Sequence, residues 1–129
     1  LPKVTDSFKK LKKNDFKCFK NTLSFFAMTA HILYAKIDKK NNATHSNIVL
    51  KKIIRKEIGF KGILISDDIS MKALSPDIIR NANLALTAGC NLVLYCDGKI
   101  PEMKKLLNQM PYIDKFTTKK TSEFYKFLS

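Results

Sequence analysis

Gly62-Ile63-Leu64-Ile65-Ser66-Asp67-Asp68-Ile69-Ser70-Met71 is the stretch that decides the fold, because an unbroken apolar run ends abruptly in Ser-Asp-Asp. A run that is apolar at every position from Gly62 to Ile65 suits a strand covered on both faces, and such strands belong to the parallel sheets of α/β proteins. In those sheets ligands sit at the carboxyl ends of the strands. Working outward, a helical pattern precedes the run: Leu50, Ile53, Ile54 and Ile58 recur at three- and four-residue spacing, Lys51, Lys52, Lys56 and Glu57 fall elsewhere, and Gly59 is the stop. The same order follows it. Ser75 reads as N-cap, Pro76 as the first helical position and Asp77 as an acid in the first turn, with Ile78, Ile79, Ala82, Ala85 and Leu86 along one face and Gly89 as the stop. Asn91 to Cys96 is then the next strand. Helix, glycine, buried strand, twice over, predicts parallel strands joined by right-handed crossovers.

The flanks carry weaker signals. Phe16, Phe19 and Leu23 sit at helical spacing and predict a short amphipathic helix from about Asp15 to Thr22, packed under a strand at Phe25–His31. Tyr34 to His45 reads as a polar loop after that strand, lining the active-site face, with His45 exposed to solvent. Pro101 to Met110 predicts a helix stopped by Pro111. Phe124, Tyr125 and Leu128 suggest a last short helix within Thr117–Ser129.

A chain of 129 residues allows one domain. Its net charge of +13 invites a nucleic-acid or membrane reading. Yet of 24 basic residues only Arg55 and Arg80 are arginine, the residue whose planar fork suits base and phosphate recognition. No RNA-recognition motif, zinc-finger spacing or heptad repeat occurs. The expectation is no specific nucleic acid partner and no membrane partner. Cys18, Cys90 and Cys96 are odd in number and lack Cys-x-x-Cys spacing, as small buried hydrophobes of a reducing compartment do. With no secretory signal and no long uncharged apolar stretch, a soluble cytoplasmic protein is expected.

Three segments together resemble a known family: Met28-Thr29-Ala30-His31, then Ile53 through Met71, then Ala88-Gly89-Cys90-Asn91. They are similar to the family 3 glycoside hydrolases, specifically the bacterial β-N-acetylhexosaminidases of cell-wall recycling, from about Leu1 to about Gly98. The resemblance implies a (β/α)₈ TIM-type barrel, of which residues 1–129 would form about the last three strand-helix units, with strands near Phe25–His31, Gly62–Asp67 and Asn91–Cys96. It implies that the family's general acid/base His, its partner Asp and the Lys-His and Arg that grip the sugar precede Leu1, so the chain is expected to be a fragment of the catalytic domain. A barrel takes about 250 residues, so three units leave two open sheet edges. Asn91 stands where the family usually has Asp, and Ile79-Arg80-Asn81-Ala82 replaces an acidic-basic pair before alanine; both departures are expected to alter surface pairing.

A retaining glycosidase needs a carboxylate nucleophile and a second group that protonates the leaving oxygen, about 5 to 5.5 Å apart. On spacing alone Asp67 is either that nucleophile or a cap of the turn into the next helix; the resemblance makes it the nucleophile, with Asp68 pointing the other way by strand alternation. His31 ends the preceding strand and is expected to share the concave face of Asp67, as a sugar hydrogen-bond donor (the substrate-binding residue) or as a support for Asp67, beside the reading that it is structural. Met71 and Tyr34 are either wall for a sugar ring or core filler. The two histidines have no carboxylate at ligand spacing, so neither metal nor cofactor is expected. The resemblance thus implies hydrolysis of terminal β-linked N-acetylglucosamine from peptidoglycan fragments. The chain is expected to be inactive alone. An alternative is a non-catalytic remnant or half-barrel subunit that complements a separately encoded N-terminal chain.

Overall fold

A computed structural model describes residues 1–129. Its centre is a three-stranded parallel sheet in the order β2-β4-β5, with β4 (Ile63–Asp68) flanked by β2 (Phe26–Met28) and β5 (Leu92–Leu94). The strand read from the apolar run is therefore the middle one. A second, two-stranded parallel sheet, not legible in the sequence, pairs β1 (Lys3–Val4) with β3 (Leu33–Tyr34). β2 opposes β4 in regular register, Phe26 on Ile63 and Met28 on Ile65. Between β4 and β5 the register slips: Ile65 faces Leu92 but Asp68 faces Leu94, so β4 carries one extra residue at Ser66–Asp67. Bulges of this kind bend a strand and re-aim its side chains.

Helices cover one face of the sheet. Ile48–Ile58 is helical as the spacing predicts, but wound as a π-helix, a wider turn than the three- and four-residue periodicity implies. Ser46 starts it, its hydroxyl accepting from Val49 N–H and its carbonyl from Leu50 N–H. Gly59 ends it at φ 82°, a left-handed conformation that disfavours a side chain. α2 (Ile78–Ala88) supplies the second cover. Leu50, Phe60, Leu64, Ala85, Ala88 and Cys90 close into one buried cluster between sheet and helices. Gly62 is required by space: a Cβ there would collide with the carbonyl of Phe25 and the ring of Phe60.

Several boundaries differ from the sequence reading. The N-cap of α2 is Asp77, whose carboxylate accepts from Arg80 N–H, while Ser75 lies two residues earlier and its hydroxyl accepts from Asp77 N–H. The helix expected over Asp15–Thr22 is only a 3₁₀ turn, Phe16–Phe19. Phe16 is its one buried anchor, Phe19 and Leu23 being exposed, and a helix without a buried face gains nothing to offset its nucleation. The true helix in that region is α1 (Phe8–Lys13), capped by Ser7. α3 (Ile100–Gln109) lies where expected, before Pro111. The last helix, α4, starts earlier than predicted and is longer, Lys115–Leu128, because the Asp114 carboxylate caps it at Thr117 N–H.

α4 crosses the amino ends of the strands. Thr117, near its start, accepts from Asn91 Nδ2 just before β5, and Phe124 packs edge-on against Phe25 and Phe26 at the head of β2. Asn91 is thus an interior junction rather than a surface partner: its Oδ1 accepts from Arg55 Nη2 at 2.7 Å and from Leu64 N–H at 2.9 Å. Arg55 also donates to the carbonyls of Phe60 and Gly62 and lies over the rings of Phe60 and Phe116. No helix is long and apolar enough to cross a membrane.

Candidate active site

The Ser-Asp-Asp triplet occupies the carboxyl end of the central strand, inside the bulge, and its three side chains do different things. Ser66 is fully buried, and its hydroxyl accepts from Leu94 N–H at 2.9 Å, replacing the backbone acceptor that the bulge removes from the ladder. Asp68 is tied to its surroundings: Oδ1 accepts from Ser70 N–H, Ser70 Oγ and Cys96 N–H, so this carboxylate joins the end of β4 to the chain leaving β5. Asp67 is half-exposed, and the one group that its carboxylate engages is the N–H of Asp68, on Oδ1 at 2.9 Å. One Asp ties two strand ends together, and its neighbour keeps an oxygen without a protein donor.

Behind this strand end lies a buried polar chain. Asp67 N–H donates to Thr29 Oγ1 at 3.2 Å, Thr29 Oγ1 lies 2.9 Å from Thr44 Oγ1, Thr44 Oγ1 lies 2.9 Å from His31 Nδ1, and His31 Nε2 lies 2.8 Å from the carbonyl oxygen of Asp68. His31 is only 3% exposed. The expectation that it opens onto the same face as Asp67 is therefore corrected: with both ring nitrogens engaged inside the chain, it has no free nitrogen to offer a sugar. Its place between Thr44 and Asp68 follows from the 3₁₀ turn Ala43–His45, which packs the end of the expected polar loop against the helices. His45 is half-buried in that turn rather than solvated, with Nδ1 bonded to Asn42 and Nε2 buried without a partner. Burial, with His31 and Arg80 nearby, holds its imidazole below the ordinary range.

Three carboxylates and the loop after β5 meet near Cys96. Cys96 is exposed at the end of β5; partial desolvation and the carboxylates of Asp68, Asp67 and Asp97 push its thiol up. Asp97 is held below the usual carboxylate range by Lys99. No three His, Cys, Asp or Glu side chains converge in a way that could hold a metal ion. One groove, about 950 Å³, runs between β5 and α3 and is mostly apolar; another, about 420 Å³, lies under Phe26 and Phe60. Asp67 lines neither.

The glycosyl hydrolase family 3 N terminal domain matches residues 1–119, nearly the whole chain. The chain belongs to glycosyl hydrolase family 3. A beta-hexosaminidase of Nitrosospira multiformis is 33% identical over 112 residues, covering 83% of this chain and 31% of that protein. One from Neisseria gonorrhoeae is 42% identical over 100 residues, covering 67% of this chain and 27% of its own. Among solved structures, CbsA from Thermotoga neapolitana superposes on all of this chain with a TM-score of 0.78 at 27% identity, over 33% of its own length. NagZ from Neisseria gonorrhoeae in complex with N-trifluoroacetyl-D-glucosamine superposes with a TM-score of 0.77 at 28% identity, covering 93% of this chain and 36% of that one. The chain thus spans about a third of the length of these relatives. The family's N-terminal domain is a TIM-barrel-type α/β fold, and the parallel strands here agree with it.

In this family 3 chain the sequence pointed to Asp67 and His31 but missed Thr29, Thr44 and Asn81. Asn81 is 1% exposed and donates to the carbonyls of Ile69 and Ser75, holding down the loop that follows Asp68. The departure expected to change surface pairing is therefore an interior contact. Thr29 stands inside the Met28–His31 segment that carries the family resemblance and Thr44 in no motif at all; only their convergence from two distant segments gives them a shared role. Met71 is exposed, and Tyr34 packs edge-on against Phe16 in a satellite cluster.

Proposed function

We propose that this chain is part of the catalytic barrel of a retaining β-N-acetylhexosaminidase, contributing about its last three strand-helix units, and that Asp67 is the nucleophile. The observation that carries this reading is the placement of a half-exposed carboxylate, free at one oxygen, in a bulge at the carboxyl end of the central parallel strand. In the first step a carboxylate oxygen of Asp67 attacks the anomeric carbon while the glycosidic oxygen leaves with a proton from an acid/base group supplied by the rest of the barrel; in the second, that group takes a proton from water, which cleaves the glycosyl ester and restores the carboxylate. Asp68 is unsuited to be the second group, since both its oxygens accept from Ser70. The substrate in this reading is a peptidoglycan fragment ending in β-linked N-acetylglucosamine, and the location is the cytoplasm, where Cys18, Cys90 and Cys96 stay thiols. His31 serves as the support of Asp67.

The test is turnover of a chromogenic N-acetylglucosaminide by the purified chain, alone and mixed with an N-terminal half-barrel of a family relative, with Asp67→Ala as control. The expected result is activity in the mixture only, abolished by Asp67→Ala, because losing general acid/base assistance costs about 10²- to 10⁴-fold. Activity of the mixture that survives Asp67→Ala would remove Asp67 from the nucleophile's role.

A further inference from the structure

We infer that Thr29, Thr44 and His31 are positioning residues, whose hydrogen bonds clamp the Asp67–Asp68 segment from both sides and so aim the Asp67 carboxylate. This rests on the reading of Asp67 as nucleophile and adds how that group is held. The direction of the chain follows from the chemistry of its ends. A carbonyl oxygen only accepts, so Nε2 of His31 carries the hydrogen donated to Asp68. In the neutral ring Nδ1 is then an acceptor and takes the Thr44 hydroxyl hydrogen. Thr44, having spent its one hydrogen, accepts from Thr29, and Thr29 accepts from the amide of Asp67. Every donor is used once, and the chain leaves the backbone at Asp67 N–H and returns to it at Asp68 C=O.

The bulge explains the need for such a clamp. On the β5 side the ladder is out of register between Ile65 and Asp68, so regular strand pairing does not hold Asp67 there. Side chains arriving from β2 and from the Ala43–His45 turn take over that task. Asp67 Oδ1 accepts from the N–H of Asp68, which lies inside the clamped segment, so a fixed backbone fixes the carboxylate rotamer and leaves Oδ2 without a protein donor. Thr29, His31 and Thr44 are all buried, and in a water-excluded interior a complete polar chain is stiff, whereas a broken one is costly.

Nuclear magnetic resonance on the isotope-labelled full chain tests this through two readouts. Ring nitrogen shifts of His31 are expected to report the Nε2–H tautomer, and three-bond couplings about χ1 of Asp67 a single rotamer. Thr29→Val and His31→Asn should average the Asp67 couplings, while Thr29→Ser, and His31→Gln with its amide placed near Asp68 O, should restore the single rotamer. An Nδ1–H tautomer in the unaltered chain, a measurement that needs no variant, overturns the proposal. So does an Asp67 rotamer that stays single in Thr29→Val and His31→Asn at unchanged melting temperature. The nucleophile reading is judged apart, by mass spectrometry after treating the barrel mixture with a fluorinated N-acetylglucosaminyl fluoride. An ester on a residue other than Asp67, with Asp67 still locked, would overturn that reading and leave the clamp standing.

Discussion

Asp67 and Asp68 are adjacent and chemically identical, yet one carboxylate is saturated with donors and the other keeps a free oxygen. Environment, not residue type, separates their roles, and the three cysteines show the same principle. Burial pushes the Cys90 thiol up to about 12, with the nearby Arg55 guanidinium offsetting part of it. Cys96 is exposed but faces carboxylates that disfavour a thiolate, whereas Cys18 is exposed beside the carbonyl of Asn14. Since the thiolate is the reactive form, iodoacetamide at pH 8 should alkylate Cys18 first, Cys96 more slowly, and Cys90 only after unfolding. Peptide mapping over time checks the order; labelling of Cys90 in the folded chain as fast as Cys18 would contradict it.

At the level of elements, the turn Ala43–His45 does more than its three residues suggest, because it brings Thr44 to His31 and buries His45 against the helical layer. Asp38 anchors the loop leading into it. Burial alone would push its carboxyl up, but donors from Lys40, Ser46 and Asn41 outweigh that and hold it low. His45 is held the other way, below the ordinary imidazole value of about 6.5, by burial first. As pH falls below about 6.5 the unfolded chain therefore takes up a proton that the folded chain still refuses, and stability decreases. The melting temperature is expected to drop between pH 7 and pH 5, with a shallower drop in His45→Gln. Equal slopes in the two proteins would show that His45 is not the group responsible. Asp38, Glu57 and Asp114 are also held low, but their loss of stability comes at more acid pH.

For the whole molecule, the charge of +13 is spread over lysines on several elements, and two of those lysines, Lys12 and Lys20, converge on Glu57. No single helix gathers an arginine-rich recognition surface. Binding to a short DNA duplex should therefore be weak, without sequence preference, and steeply reduced by salt. Fluorescence anisotropy across a salt series measures this. Sub-micromolar, sequence-dependent binding at physiological salt would contradict it. The sheet has two unpaired outer edges, on β2 and β5, and Met28 beside Asp67's strand is 57% exposed.

Much of this was legible in the chain itself. The central strand, its parallel neighbours, the helix stops at Gly59 and Gly89 and the placement of Asp67 all follow from local rules: continuous apolar runs, side-chain periodicity and the backbone demands of glycine. These signals are local in sequence, so one chain suffices to read them. The bulge at Ser66–Asp67 was not legible, because register is a property of two strands and depends on where β5 is gripped by Asn91 and Ser66. Nor was the inward placement of His31, whose partners Thr44 and Asp68 lie 13 and 37 positions away. A hydroxyl or an imidazole satisfies its hydrogen bonds with whatever the fold brings near, and only tertiary structure decides what that is.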